Sequence, residues 1–106
     1  MQIVIDDSGS TATVKLVGRL DISGADVIAL PLATLSGSKN GLTIDMTDVS
    51  FIASIGLRHL VSAAKAVGRR GGRLVVRNPS AAVAEVITTS GLDGLLSIER
   101  GDAAQK

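Results

Sequence analysis

Residues 44–60 read I-D-M-T-D-V-S-F-I-A-S-I-G-L-R-H-L, from Ile44 to Leu60. The stretch starts as a β-branched, strand-like run, passes through a polar turn, and ends in an apolar pattern of helical period. Ser54 stands where the helical pattern begins. The spacing therefore predicts a strand, a turn and a helix with a serine hydroxyl at its head. A helix N-terminus presents unpaired backbone N–H groups and a partial positive charge, which together favour a phosphate.

Outward from this stretch, strand and helix signals alternate. Gln2 to Asp6 and Ala12 to Val17 read as two strands, joined by the turn Asp7-Ser8-Gly9-Ser10 and close enough to pair as a hairpin. Gly18 to Ile22 reads as a loop. Ser23 with Asp26 resembles a capping box, so a helix is expected from Ser23 to about Ser36-Gly37, kinked or interrupted at Pro31. Leu42 to Met46 is the next strand. The helix from about Ile55 to Arg70 has Leu57, Leu60, Val61, Ala64 and Val67 on its apolar face. Its opposite face carries Arg58, Ser62, Lys65 and Arg69, with Ile55 and His59 on the flank, and Gly71-Gly72 ends it. Arg73 to Arg77 supplies a strand, Leu74-Val75-Val76. Ser80 caps a third helix, with Val83, Val86 and Ile87 inward, and Gly91 stops it ahead of Leu92. Leu95 to Ile98 is a last strand, and residues 101–106 are a tail, helical or frayed.

This order argues for one α/β (α+β) domain over residues 1–106, a mostly parallel or mixed sheet covered by helices. At 106 residues the chain is long enough for one core and too short for two. Phe51 is the only aromatic residue, so the core must be built from Leu, Ile, Val and Ala. Aromatic platforms for single-stranded nucleic acid cannot be built, and a net charge of +1 gives no field toward DNA or a membrane surface. The absence of cysteine excludes disulfides, thiol catalysis and the usual zinc motifs, and fits a reducing compartment. The N-terminus lacks the pattern of a signal peptide and no apolar run has the length of a membrane span. The expectation is a cytoplasmic, soluble protein, monomeric when alone.

Catalytic constellations are absent. His59 is the only histidine, and nothing in the sequence fixes it against Ser54 or Ser62 as a triad would need. Carboxylates do not gather at metal-ligand spacing, and there is no phosphate-cradling glycine loop. The basic run Gly68-Arg69-Arg70-Gly71-Gly72-Arg73 is explained as a helix C-terminus complemented by cations and stopped by glycine. No catalytic residue, cofactor or metal is expected. Ser54 has two compatible readings. As an N-cap its oxygen accepts from an N–H one turn in, worth about 1 kcal/mol. As a phosphoryl acceptor it would gain about −1.5 to −2 charges, which its own helix tolerates and a docked partner does not.

Four ordered elements carry a family resemblance. They are Gly18-Arg19-Leu20-Asp21 (G-x-L-D), the run Ile44 to Ile52, Ser54-Ile55-Gly56-Leu57 (S-x-G-L), and the turn Ser90-Gly91-Leu92-Asp93. In this order they resemble a STAS domain of the anti-sigma factor antagonist family, nearly end to end. The resemblance implies a four- to five-stranded mixed sheet with helices packed mainly on one side, and no catalysis. It also implies binding to an anti-sigma factor that is a serine kinase, release of a sigma factor, phosphorylation at Ser54, and reversal by a metal-dependent serine phosphatase. Asp21 would lie close to the kinase contact. Asp45 is expected beside the acceptor, and Gly56 as the small residue that lets a partner approach closely. Arg58, His59 and Ser62 are candidate contacts on the exposed helix face. Where the commonest family motif has D-S-S-G, this chain has Ala53-Ser54-Ile55-Gly56. Ile55 is expected to point outward beside Ser54 as a small apolar contact. STAS domains also serve as accessory subunits of lipid-transport ATPases, and in that reading Ser54 would be only a cap.

Overall fold

The computed structural model describes residues 1–92 and 94–99. Strand β1 (Gln2–Asp7) turns back antiparallel onto β2 (Thr11–Leu20). There follow α1 (Ile22–Ser36), β3 (Gly41–Ile52), α2 (Ser54–Gly68), β4 (Arg73–Arg77), α3 (Ala81–Thr89) and β5 (Ser97–Glu99). The sheet order is β1-β2-β3-β4-β5, and every pair after the first is parallel. Each parallel crossover moves one strand in the same direction, so right-handed connections put all three helices on one face. The sheet supplies Val14, Leu16, Leu20, Ile44, Met46, Leu74 and Val76 to the core, and the helices supply Ile28, Leu32, Leu60, Val67 and Ile87.

Alternation explains the buried face. Ala12, Val14, Leu16 and Leu20 point inward from β2, and Leu42, Ile44 and Met46 from β3. The other face is a charge ladder. Lys15 pairs opposite Asp45, Asp45 opposite Arg77, and Arg77 opposite Glu99, so signs alternate across four strands. Lys15 also lies 3.4 Å from Asp48, and Arg77 3.3 Å from Glu99.

Several sequence expectations need correction. Residues 18–20 are strand, and so are residues 47–52, which read as loop and turn. The two segments pair with each other, Gly18 with Val49, Arg19 with Phe51 and Leu20 with Ile52. Two register shifts break the alternation, so Thr47, Asp48 and Ser50 stay exposed without a turn. Helix α1 starts at Ile22 with Asp21 as its cap, not Ser23, because the Asp21 carboxylate accepts from the Gly24 N–H at 2.9 Å. The helix runs through Pro31 without interruption. The carbonyl that Pro31 leaves unbonded belongs to Val27, an exposed residue, where water can meet it. On α2, Val61 is half-buried and Ala63 takes the core position. Val86 of α3 is largely outside the core. The last strand is Ser97–Glu99, shifted from the expected Leu95 to Ile98 because its register is set by Val75 to Arg77 of β4. Asp93 and the 101–106 tail lie outside the described residues.

The end of the sheet away from the heads of α1 and α2 is closed by polar bonds. The Lys39 ammonium, almost wholly buried, donates to the Asp7 carboxylate at 2.5 Å and to the Gly9 carbonyl at 2.6 Å. Arg70 donates to the carbonyls of Ser36 and Lys39. These bonds tie the β1–β2 turn to the ends of α1 and α2.

Candidate functional site

Strands β2 and β3 end side by side, Leu20 opposite Ile52, and a helix starts just beyond each. The Ala53 N–H donates to the Leu20 carbonyl at 2.9 Å, which locks the two helix heads together. Carboxyl ends of parallel strands are where α/β sheets usually place their sites, because helix N-termini converge there. Asp21 and Ser54 are brought together at this corner.

The three helix heads differ. Asp21 caps α1, and Ser80 caps α3 by accepting from the Val83 N–H at 3.2 Å. The cap position of α2 is Ala53, which has no side-chain acceptor. Ser54 is the first helical residue, so its exposed hydroxyl makes no cap bond. This corrects the N-cap reading: the polypeptide reaches the cap position one residue earlier, in the extended conformation a cap residue takes. The N–H groups of Ser54, Ile55 and Gly56 precede the first intrahelical bond, from the Leu57 N–H to the Ala53 carbonyl. An anion held at Ser54 would meet these donors and the positive end of the helix.

Around Ala53, the residue before the serine, apolar and polar side chains meet. Ile22, 72% exposed, and Phe51, 39% exposed, flank Ala53 together with Asp21 and Ser23. The Arg19 guanidinium stacks over the Phe51 ring, 4.4 Å from its centroid, and lies 3.8 Å from the Asp21 carboxylate. Ile22, Phe51 and Arg19 were missed as site residues. The signal was the sole aromatic of the chain, placed three residues before Ser54, in a run where strand alternation fails.

The remaining expected residues divide. Arg58 and Ser62 are exposed on α2, and His59 is half-buried on the side of α2 that faces α1. Ile55 is half-buried, and the more exposed apolar side chain at this corner is Ile22, beside Ala53. Gly56 is buried, and a Cβ there would come within 2.6 Å of the Leu20 side chain. Its smallness serves the packing of α2 on β2, not the approach of a partner. Asp45 is not beside the acceptor. It lies opposite Lys15, five residues of β2 away from Leu20, about 16 Å at the usual strand rise. Burial pushes its carboxyl up, but bonds from the Thr47 hydroxyl and N–H, with Arg77 and Lys15 nearby, hold it below its ordinary value. Among the described residues no group of His, Cys, Asp and Glu could hold a metal ion. No helix among them is long and apolar enough to cross a membrane.

Comparison with known proteins gives this corner its context. The family model described as "Mlab, STAS domain" matches residues 3–97. The anti-sigma-B factor antagonist of Bacillus subtilis (strain 168) is 31% identical over 85 residues, covering 80% of this chain and 78% of that protein. The anti-sigma factor antagonist SpoIIAA, solved in its unphosphorylated form, superposes with a TM-score of 0.80 at 21% identity, covering 98% of this chain and 93% of that one. The phosphorylated form of the Bacillus cell fate determinant SpoIIAA superposes at 0.74 and 20% identity, covering 98% and 96%. With the matched family model, the five-stranded mixed sheet and the paired helix heads, the chain is a STAS domain protein and belongs to the anti-sigma factor antagonist family.

Proposed function

We propose that this protein is a cytoplasmic, non-catalytic regulator that binds an anti-sigma factor and is switched off by phosphorylation of Ser54. The observation that carries the reading is the α2 head, an exposed hydroxyl on an uncapped helix end, with Ile22, Phe51 and Asp21 around its cap residue Ala53. Unmodified, this corner offers an apolar docking surface. A phosphate on Ser54 adds a double charge where a partner would bury it, and the desolvation cost opposes binding. The same phosphate accepts from the free N–H groups of α2, so the domain keeps its fold. In the transfer itself the Ser54 oxygen bonds the γ-phosphorus of ATP, the bond to the β-phosphate breaks, ADP leaves, and the hydroxyl proton is released. The kinase is the anti-sigma factor, and a serine phosphatase restores the hydroxyl.

The test is intact mass after incubation with ATP and the co-encoded kinase, for wild type and Ser54→Ala. One phosphate on the wild type alone is expected. An active kinase that binds the wild type and leaves its mass unchanged would end the switch reading. Titration calorimetry of Ser54→Asp against the same partner should show at least about tenfold weaker binding. A second reading is constitutive docking on the ATPase subunit of a lipid transporter, with Ser54 unmodified. The exposed apolar side chains of Ile22 and Phe51 favour it. In that case Ser54→Asp and Phe51→Ala both weaken docking, and no phosphate is ever found.

A further inference from the structure

The outer surfaces of α1 and α2 carry two features side by side. Leu30 is 75% exposed on α1, and Ile22 at the head of the same helix is exposed too. Helix α2 contains no acidic residue, and Arg58, Lys65 and Arg69 recur along its exposed side. Among the described residues none of these three makes an ion pair, whereas Lys15, Arg19, Lys39 and Arg77 all do. Between the helices runs a groove of about 190 Å³ lined by Ala29, Ala33, His59, Ser62, Ala63 and Ala66.

Helical spacing of about 100° per residue orders the walls. On α2, Ala63, His59, Ala66 and Ser62 face the groove, and Arg58, Lys65 and Arg69 form the next row outward. On α1, Ala29 and Ala33 face it, with Ile22, Asp26 and Leu30 along the rim. Both helices return antiparallel to the same parallel strands, so they lie side by side and the groove is straight. The groove itself is thus lined by small side chains, with one rim aliphatic apart from a single carboxylate, Asp26, and the other rim carrying Arg58, Lys65 and Arg69.

We propose that the α1/α2 groove receives an acidic amphipathic helix of the protein partner. Its aliphatic residues lie against Leu30, Ala29 and Ala33, and its carboxylates meet Arg58, Lys65 and Arg69. A lipid surface is flat and would bridge the two rims, leaving the concave floor of Ala29, Ala33, Ala63 and Ala66 unfilled, whereas a helix fills it. A second copy of this chain is a poor occupant, since Asp26 and Glu85 are the only acids on its described helices. The proposal rests on the reading of the chain as a partner-binding domain and not on modification of Ser54.

The test is titration of isotope-labelled protein with a synthetic peptide of about 18 residues, leucines at helical spacing and flanking glutamates. A counterpart with lysine for each glutamate and vesicles of phosphatidylglycerol are the controls. Saturable binding of the acidic peptide is expected, with amide shifts at Ala29, Ala33, Ser62 and Ala66. The lysine peptide should bind about tenfold more weakly. In Arg58→Glu with Lys65→Glu the preference should reverse, and because both positions are exposed the melting temperature should hold. Ser54→Ala should bind like wild type. Equal binding of the two peptides, shifts lying outside the groove, displacement of the peptide by vesicles, or no saturation would each overturn the proposal.

Discussion

The two ends of the sheet are built to opposite rules. At one end Lys39, Asp7, Gly9 and Arg70 satisfy one another and close the structure with polar bonds. At the other, α2 begins without a cap, Ser54 is exposed, and Ile22 and Phe51 stand in solvent. A closed end spends its polar groups on the fold. An open end leaves donors, a hydroxyl and apolar surface available to a partner. Changes at the closed end should therefore cost stability, and changes at the head of α2 should cost binding with little change in stability.

The strongest way to break this contrast is Gly72→Ala. A Cβ there would sit 1.4 Å from the Asn40 carbonyl oxygen, and backbone must move. A loss of about 3 kcal/mol in urea unfolding is expected. Next comes Lys39→Met, which leaves the Gly9 carbonyl without its Lys39 donor and the Asp7 carboxylate with the Gly9 N–H alone. The bond from the nearly buried ammonium to the Gly9 carbonyl is a charged one, and its loss should cost about 2 kcal/mol in urea unfolding. The same pair sets a pH dependence. The bond from Lys39, helped by the Gly9 N–H and opposed by slight burial, holds the Asp7 carboxyl below its ordinary value near 3.8. As pH falls, the unfolded chain takes up this proton first. The stabilisation is whole above the ordinary value and is lost as pH drops through the depressed folded one. Melting temperature should thus fall in that acid range, and Asp7→Asn should remove that part of the slope.

Smaller effects test the open end. Asp21→Ala removes a working cap and should cost about 1 kcal/mol. Ser54→Ala removes no cap bond and should change stability by less than about 0.3 kcal/mol, read in the same unfolding assay. A loss as large as that of Asp21→Ala would show Ser54 to be a structural cap and would erase the contrast between the two helix heads.

The sequence carried the helices and strands well where hydrophobic period was unbroken. Val14, Leu16, Ile44, Leu60 and Val67 could be placed in the core from spacing alone. It failed where two irregular segments support each other. Residues 18–20 and 47–52 look like loop and turn in isolation, yet each gives the other the hydrogen bonds of a strand. The site was legible in part. Ser54 at a helix head and Asp21 near it could be read from the chain, but the lack of a cap bond at Ser54, the place of Asp45 and the purpose of Gly56 could not.

By itself the sequence determined the element order, the aliphatic core and a serine at the start of α2, because local period and turn chemistry act over a few residues. Only the tertiary structure decided which residues share the corner. Asp45 joins Lys15 and Arg77 in the ladder, Gly56 admits Leu20, and Phe51 meets Arg19. Each of these contacts depends on the register of strands far apart along the chain. A shift of one residue would turn each side chain to the other face.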